Sequence, residues 1–214
     1  TVMLLIDVSG SNEFGSHLQL KEEQMTEIAA VLAFSAIHNN DKVGVIFFSD
    51  IIEKFIPPKK GTTHILRIIR ELIDFRPQSQ KTDISEALRF LTNALKKRCT
   101  AFLISDFMDK GFDNAINIAG NKHDIGAIRI YDQREVEMPD VGLVKIFDKE
   151  SNSFSWADTS SRKLREQYAR KWREHDHYLT SLFNRSGVDY VNIKTEEDFV
   201  KPLMKLFKMR EARL

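Results

Sequence analysis

The apolar residues of this chain alternate between short continuous runs and longer amphipathic stretches, and this alternation limits its possible folds more than any other feature. The short runs predict six strands, at residues 2–6, 43–48, 51–56, 101–104, 125–131 and 188–193. The longer stretches predict helices, at residues 17–38, 63–75, 83–97, 112–122, 161–185 and 196–210. This order of elements is typical of a mostly parallel sheet with helices on both faces. We therefore predict an α/β, doubly wound fold built on a six-stranded sheet.

One segment, at about residues 139–157, interrupts the alternation of strands and helices. Two short apolar runs, 144–147 and 153–156, flank the polar residues 149–152, and this pattern predicts a β-hairpin insertion. The sequence contains no internal repeat or flexible linker, so residues 1–214 are predicted to form one domain. Because the chain opens on a predicted core strand, we expect it to be a fragment that lacks an N-terminal region.

The composition narrows the classes of function. The chain has 32 Lys and Arg against 31 Asp and Glu, and this balance argues against a nucleic-acid partner. No run of about 18 apolar residues occurs, so this chain is predicted to make no membrane contact. Cys99 is the only cysteine, which excludes an intrachain disulfide and a cysteine-rich metal site. Together these features predict a cytoplasmic location.

Several polar residues lie at the ends of predicted elements. Asp7, Ser9 and Ser11 follow the first strand, Asp106 follows the fourth strand, and Thr82 precedes the middle helix. In an open parallel sheet, ligands bind beyond the carboxyl ends of the strands. Carboxylates and hydroxyls without His or Cys are the hard oxygen ligands that suit Mg²⁺ or Mn²⁺. The sequence therefore predicts a Mg²⁺ or Mn²⁺ site at this edge of the sheet.

Each of these residues also has a purely structural interpretation. Asp and Ser after a strand are common turn formers and helix N-caps. Thr82 or Asp83 is suited to cap the helix that follows, with Glu86 completing a capping box. The metal interpretation is favoured because the end of the first strand, the end of the fourth strand and the start of the middle helix share one edge of the predicted sheet.

These motifs resemble the metal-ion-dependent adhesion site of von Willebrand factor type A domains. The resemblance rests on Asp7-x-Ser9-x-Ser11, on Thr82 followed by Asp83-Ile84-x-x-Ala87-Leu88, and on Ser105-Asp106. More narrowly, the chain resembles the bacterial domain-of-unknown-function fifty-eight family. The phrases that carry this second resemblance are Asp41-Lys42-Val43-Gly44, Phe55-Ile56-Pro57-Pro58, Ile104-Ser105-Asp106-Phe107, His123-Asp124-Ile125 and Met138-Pro139-x-x-Gly142.

The resemblance implies a role for each site residue. Ser9 and Ser11 would bind the metal directly, and Thr82 would bind it directly or through water. Asp7 and Asp106 would hold metal-bound waters, which leaves the sixth position open for a carboxylate of a partner protein. The narrower family implies that this partner is a MoxR-type AAA+ ATPase, in a system that acts in the assembly or maturation of other proteins.

Four further residues flank the proposed metal loops. Lys81 stands where the family more often has Gly, so a cation near the site is expected to weaken metal binding. Phe14, Phe107 and Met108 are assigned to an apolar rim that contacts the partner, with packing in the core as the alternative.

The alternative function is that of a Mg²⁺-dependent phosphoryl-transfer enzyme with Asp7 as its nucleophile. Such an enzyme needs a second carboxylate two residues later as its general acid, and Ser9 occupies that position. The sequence also has no P-loop for a nucleotide and no nucleophile elbow for acyl transfer. We therefore predict a metal-dependent protein-interaction module that is not an enzyme.

Overall fold

The computed structural model describes residues 1–9, 18–148, 153–195 and 197–211. The strands are β1 (Val2–Asp7), β2 (Val43–Phe48), β3 (Ile52–Lys59), β4 (Thr100–Ser105), β5 (Asp124–Tyr131), β6 (Leu143–Asp148), β7 (Ser153–Asp158) and β8 (Asp189–Lys194). The helices are α1 (Leu18–His38), α2 (Thr62–Ile73), α3 (Ile84–Ala94), α4 (Asp113–Lys122), α5 (Gln133–Val136), α6 (Arg162–Arg185) and α7 (Val200–Glu211). The chain divides into two compact units, one of residues 1–131 and 182–214 and the other of residues 132–181. The prediction of a single domain stays a prediction.

The first unit is built on a six-stranded sheet with the strand order β3-β2-β1-β4-β5-β8. Every neighbouring pair of strands is parallel except β2 and β3, which run antiparallel at one edge. From β1 the chain moves outward to β2 and β3, then returns to β4 and continues outward to β5 and β8. The predicted α/β, doubly wound, mostly parallel fold is confirmed, and the point where the strand order reverses lies between β1 and β4.

Helices cover both faces of this sheet. Side chains on alternate residues of a strand point to opposite faces, so a strand can pack against helices on both sides. On one face, Phe47 of β2 packs against Phe75, just after α2, with ring centroids 5.0 Å apart. On the other face, Phe55 of β3 packs against Phe90 of α3 at 5.2 Å. Since both faces are covered, every residue of β2 is buried, which explains why this strand is a continuous apolar run.

The third strand is longer than predicted. Pro57 and Pro58 do not end β3, which continues to Lys59. Among the strands that the structure describes, β3 pairs only with β2 and so lies at the edge of the sheet, where a residue without an N–H is tolerated. Gly44 of β2 permits the close approach of this segment, since a Cβ at that position would lie 2.9 Å from the carbonyl oxygen of Ile56 and from the nitrogen of Pro58.

The second unit, residues 132–181, contains the predicted hairpin. Strands β6 and β7 pair antiparallel in a separate two-stranded sheet, which confirms the hairpin, while its polar turn at 149–152 lies outside the described residues. The short helix α5 is absent from the sequence prediction, and Asp132 and Glu135 form a capping box at its start. Among the residues that the structure describes, no helix is both long enough and apolar enough to cross a bilayer.

Candidate metal site

Side chains from three segments meet at the carboxyl edge of the sheet, next to the reversal point between β1 and β4. Asp7 is the last residue of β1, and Ser105 is the last residue of β4. The two strands are parallel neighbours, and Ser105 Oγ donates a hydrogen bond of 2.6 Å to Asp7 Oδ2. Strand pairing therefore joins two residues that are 98 positions apart in the chain.

The carboxyl group of Asp7 is enclosed by the protein. Its side chain is buried, and its Oδ1 accepts a hydrogen bond of 3.0 Å from the backbone N–H of Ser9. Burial and, next, the negative charge of Asp106 raise the pKa of Asp7 to about 6, although hydrogen bonds from Ser105 and Ser9 oppose the rise. The ionised form of Asp7 is thus disfavoured, and a bound cation would stabilise it.

Thr82 reaches the same site from the loop before α3. Its Oγ1 donates a hydrogen bond of 2.7 Å to Ser9 Oγ. The loop is anchored by the backbone N–H of Asp83, which donates to the carbonyl oxygen of Ser49, 3.0 Å away and just after β2. The Asp83 side chain caps α3 by accepting a hydrogen bond of 3.0 Å from the backbone N–H of Glu86. The capping interpretation therefore holds for Asp83, while the hydroxyl of Thr82 faces Ser9.

Asp106 adds a second carboxylate, and a buried lysine lies beside it. Asp106 Oδ1 accepts a hydrogen bond of 3.0 Å from the backbone N–H of Met108. Asp106 Oδ2 lies 3.6 Å from Nζ of Lys21, a residue of the first turn of α1 whose side chain is only 2% exposed. Lys21 is absent from the sequence prediction. It lies four residues before the buried Met25, on the buried stripe of α1, and this helical spacing could have predicted that Lys21 is buried.

A second buried cation, Arg129, supports the loop that carries Asp106. Arg129 lies on β5 opposite Ser105 of β4, and its side chain is 1% exposed. Its Nε donates a hydrogen bond of 3.2 Å to the backbone carbonyl oxygen of Asp106. The sequence prediction omits Arg129 as well, although it is the single charged residue in the predicted strand 125–131.

The predicted apolar rim is wrong for Phe107. A left-handed backbone (φ 57°) accompanies a fully buried side chain, whose ring packs edge-on against Phe183 at 5.3 Å. Core packing, the alternative, therefore holds for this residue. Met108 is 54% exposed, so it is available to a partner, and Lys81 is exposed as well. Phe14 lies outside the residues that the structure describes.

The structure brings four of the five predicted metal residues together. Asp7 is hydrogen-bonded to Ser9 and Ser9 to Thr82, and the charge of Asp106 acts on Asp7. The fifth, Ser11, lies outside the described residues. Within the described part of the chain, no three His, Cys, Asp or Glu side chains are grouped to hold a metal. Hydroxyls combined with two carboxylates are hard oxygen donors and fit Mg²⁺ or Mn²⁺.

Replacing Asp7 by Asn is expected to stabilise the metal-free protein at neutral pH. The pKa of Asp7 is about 6 in the folded protein against an ordinary value of 3.8, so its charge costs up to about 3 kcal/mol above pH 6. The unfolded chain releases this proton first, and the free energy of unfolding of the wild type therefore falls as the pH rises from about 4 to about 6. Urea unfolding in EDTA at several pH values should show this fall in the wild type and not in Asp7→Asn.

The exposed substitution Asp74→Asn is the control, because it removes one carboxylate without changing the buried site. It should not reproduce the pH-dependent difference. An advantage of Asp7→Asn that is equally large below pH 4 and above pH 7 contradicts the explanation, since in acid Asp7 is protonated in both the folded and the unfolded states.

Comparisons with known sequences identify relatives of this chain. The model of the family described as "Protein of unknown function DUF58" matches residues 1–178. An uncharacterized protein of Mycobacterium tuberculosis is 23% identical over 210 residues, which cover 97% of this chain and 66% of that protein. The chain thus spans just under two thirds of the length of this relative.

Comparisons with solved structures concern the fold. An aerotolerance-related membrane protein from Bacteroides fragilis is similar with a TM-score of 0.60 and 14% identity, over 100% of this chain and 98% of that chain. The SpRpn10 VWA domain is similar with a TM-score of 0.46 and 11% identity, over 97% of this chain and 93% of that chain. The likeness to the Bacteroides protein shows a shared fold.

Proposed function

The chain belongs to the DUF58 family of proteins of unknown function, and we propose that it is a metal-dependent protein-interaction module. The proposed site contains Asp7, Ser9, Thr82 and Asp106, with Mg²⁺ or Mn²⁺ as its ion. The observation that carries the proposal is the convergence of these four side chains, from three separate segments, where the strand order of the sheet reverses. This position is the usual ligand site of an open α/β sheet.

The residues divide into two groups by their chemistry. Ser9 and Thr82 would offer neutral hydroxyl oxygens to the ion, together with Ser11, as the resemblance to von Willebrand type A domains implies. Asp7 and Asp106 would supply negative charge and hold metal-bound waters. An ion held mainly by neutral oxygens keeps much of its positive charge, so it attracts an external carboxylate strongly once water is excluded.

The partner that we propose is a MoxR-type AAA+ ATPase that offers this carboxylate, in a cytoplasmic system for the assembly or maturation of other proteins. The support for this partner is the resemblance to the DUF58 family. The chain covers 66% of the length of its mycobacterial relative. The role that we propose with the ATPase therefore applies to a whole protein of which this chain matches only a part.

The geometry favours binding over phosphoryl transfer. A nucleophilic carboxylate must offer an oxygen to its substrate, whereas Asp7 is 3% exposed and its two oxygens accept hydrogen bonds from Ser9 N and Ser105 Oγ. Ser9, which stands where a general acid would be needed, accepts a hydrogen bond from Thr82. These residues are arranged to hold charge rather than to attack a phosphate.

Adding Mg²⁺ or Mn²⁺ is expected to raise the melting temperature of the full chain. At ten times its dissociation constant, a ligand that binds only the folded state stabilises it by about 1.4 kcal/mol, which corresponds to about 3–6 °C for a protein of this size. Thr82→Ala should reduce this rise because it removes one hydroxyl from the site. Thermal unfolding in EDTA and in increasing metal concentrations measures both effects.

Thr92→Ala is the matched control for Thr82→Ala. Thr92 lies within α3, and its hydroxyl donates to the backbone carbonyl of Leu88, so the substitution removes a hydroxyl away from the site. It should keep the full metal-dependent rise. A melting temperature that millimolar Mg²⁺ and Mn²⁺ leave unchanged contradicts the proposed metal site.

A further inference from the structure

Lys21 is an unusual residue for its place in the fold. It lies in the first turn of α1, where the helix dipole disfavours a positive charge, and its side chain is 2% exposed. Burying an ammonium group is costly unless a negative charge faces it. Asp106 supplies such a charge, because its Oδ2 lies 3.6 Å from Lys21 Nζ.

Asp106 is also one of the two carboxylates of the proposed metal site. Its Oδ1 accepts a hydrogen bond from the backbone N–H of Met108. A metal-bound water held by Asp106 would therefore share this carboxylate with the Lys21 ammonium. With both carboxylates ionised, Asp7, Asp106 and Lys21 together carry a single net negative charge, whereas the two carboxylates without Lys21 would carry two.

We propose that the Lys21 ammonium is an internal counter-ion that competes with the divalent metal for Asp106 and thereby lowers the metal affinity of the site. This inference rests on the proposed function and adds to it a residue that sets the affinity. In the metal-free protein, the Lys21 ammonium is a positive charge that faces the Asp106 carboxylate. A divalent ion repels the ammonium and replaces it as the counter-charge of Asp106, so part of the binding free energy is lost.

The test compares Mg²⁺ binding to the wild-type chain and to Lys21→Met by isothermal titration calorimetry. Removing a positive charge that lies next to the carboxylate holding the ion removes a repulsion, so the dissociation constant for Mg²⁺ should fall by about tenfold or more. The metal-free variant should also melt at a lower temperature, because Asp106 then lacks this counter-ion. A merely structural role of Lys21 would weaken both stability and metal binding, so opposite changes identify competition.

Two further variants complete the experiment. Lys21→Gln removes the charge but keeps a hydrogen-bond donor for Asp106, and it takes the place of Lys21→Met if that variant does not fold. Lys97→Met is the control. It removes an exposed lysine that precedes β4 and so lies at the opposite edge of the sheet, and it should leave the dissociation constant for Mg²⁺ within about twofold.

The outcomes separate this inference from the proposed function. If the wild type binds Mg²⁺ and the folded variants bind it equally well or more weakly, competition by Lys21 is overturned and the metal site stands. If neither the wild type nor any variant binds Mg²⁺, the proposed function fails and the inference fails with it.

Discussion

Chelation of divalent metal by EDTA is expected to remove most of the binding between this chain and a MoxR-type AAA+ ATPase. In the proposed complex, a carboxylate of the ATPase completes the shell of the ion. Without the ion, that carboxylate faces the negative charges of Asp7 and Asp106. Loss of one member of a buried charged contact costs about 2–5 kcal/mol, so the dissociation constant should rise about thirtyfold or more. Mg²⁺ or Mn²⁺ should restore binding, and Ca²⁺ should restore it less well because it prefers longer oxygen contacts.

Surface plasmon resonance with the immobilised ATPase measures this change. Ser9→Ala and Thr82→Ala should weaken binding without unfolding the chain, since each removes a hydroxyl rather than a core side chain, and Thr92→Ala should bind like the wild type. Binding that is indifferent to EDTA and to both site substitutions would move the interface away from the metal. The next surface to mutate is then the hairpin, whose exposed apolar side chains include Leu143, Phe154 and Trp156.

Asp106→Asn is expected to destabilise the metal-free protein strongly, in contrast to Asp7→Asn. If Asp106 did no more than repel Asp7, its neutralisation would stabilise the fold. The buried ammonium of Lys21, 3.6 Å from Asp106, reverses this expectation. Removing one partner of a buried ion pair costs about 3–5 kcal/mol, which lowers the melting temperature of a protein of this size by about 6 °C or more. Urea and thermal unfolding in EDTA measure the loss.

A double substitution and a surface pair serve as controls. Lys21→Met combined with Asp106→Asn should recover most of the lost stability, because replacing a buried ion pair as a whole is close to neutral. Asp113→Asn breaks the exposed pair between Asp113 and Arg185 and should cost no more than about 1 kcal/mol. An Asp106→Asn protein as stable as the wild type would show that this carboxylate does not offset the buried charge of Lys21.

Most of the fold could be predicted because a strand that is buried on both faces has a continuous run of apolar residues. The continuous apolar run at residues 43–48 is β2, buried along its whole length. No such apolar pattern exists where the end of an element depends on neighbouring strands, or where a helix is very short. Whether Pro57 and Pro58 end a strand depends on whether that strand lies at the edge of the sheet. Helix α5, with four residues, is too short to show a helical period.

The candidate site was predictable for a different reason. The ends of parallel strands share one edge, so the positions of Asp7 and Asp106 in the chain were enough to expect them to be close. The prediction for Phe107 failed because the orientation of a single side chain in a loop depends on the local backbone conformation. Here that conformation has a positive φ, which the spacing of apolar residues does not predict.

The sequence by itself determined the α/β fold class, the edge at which the polar residues gather, and the oxygen chemistry of those residues. Apolar spacing and side-chain type carry this information locally. Only the tertiary structure decided the charge balance of the site, by placing Lys21 beside the carboxylate of Asp106 and Arg129 against its backbone. The strength of a charge pair depends on distance and burial, and neither is set by the separation of two residues along the chain.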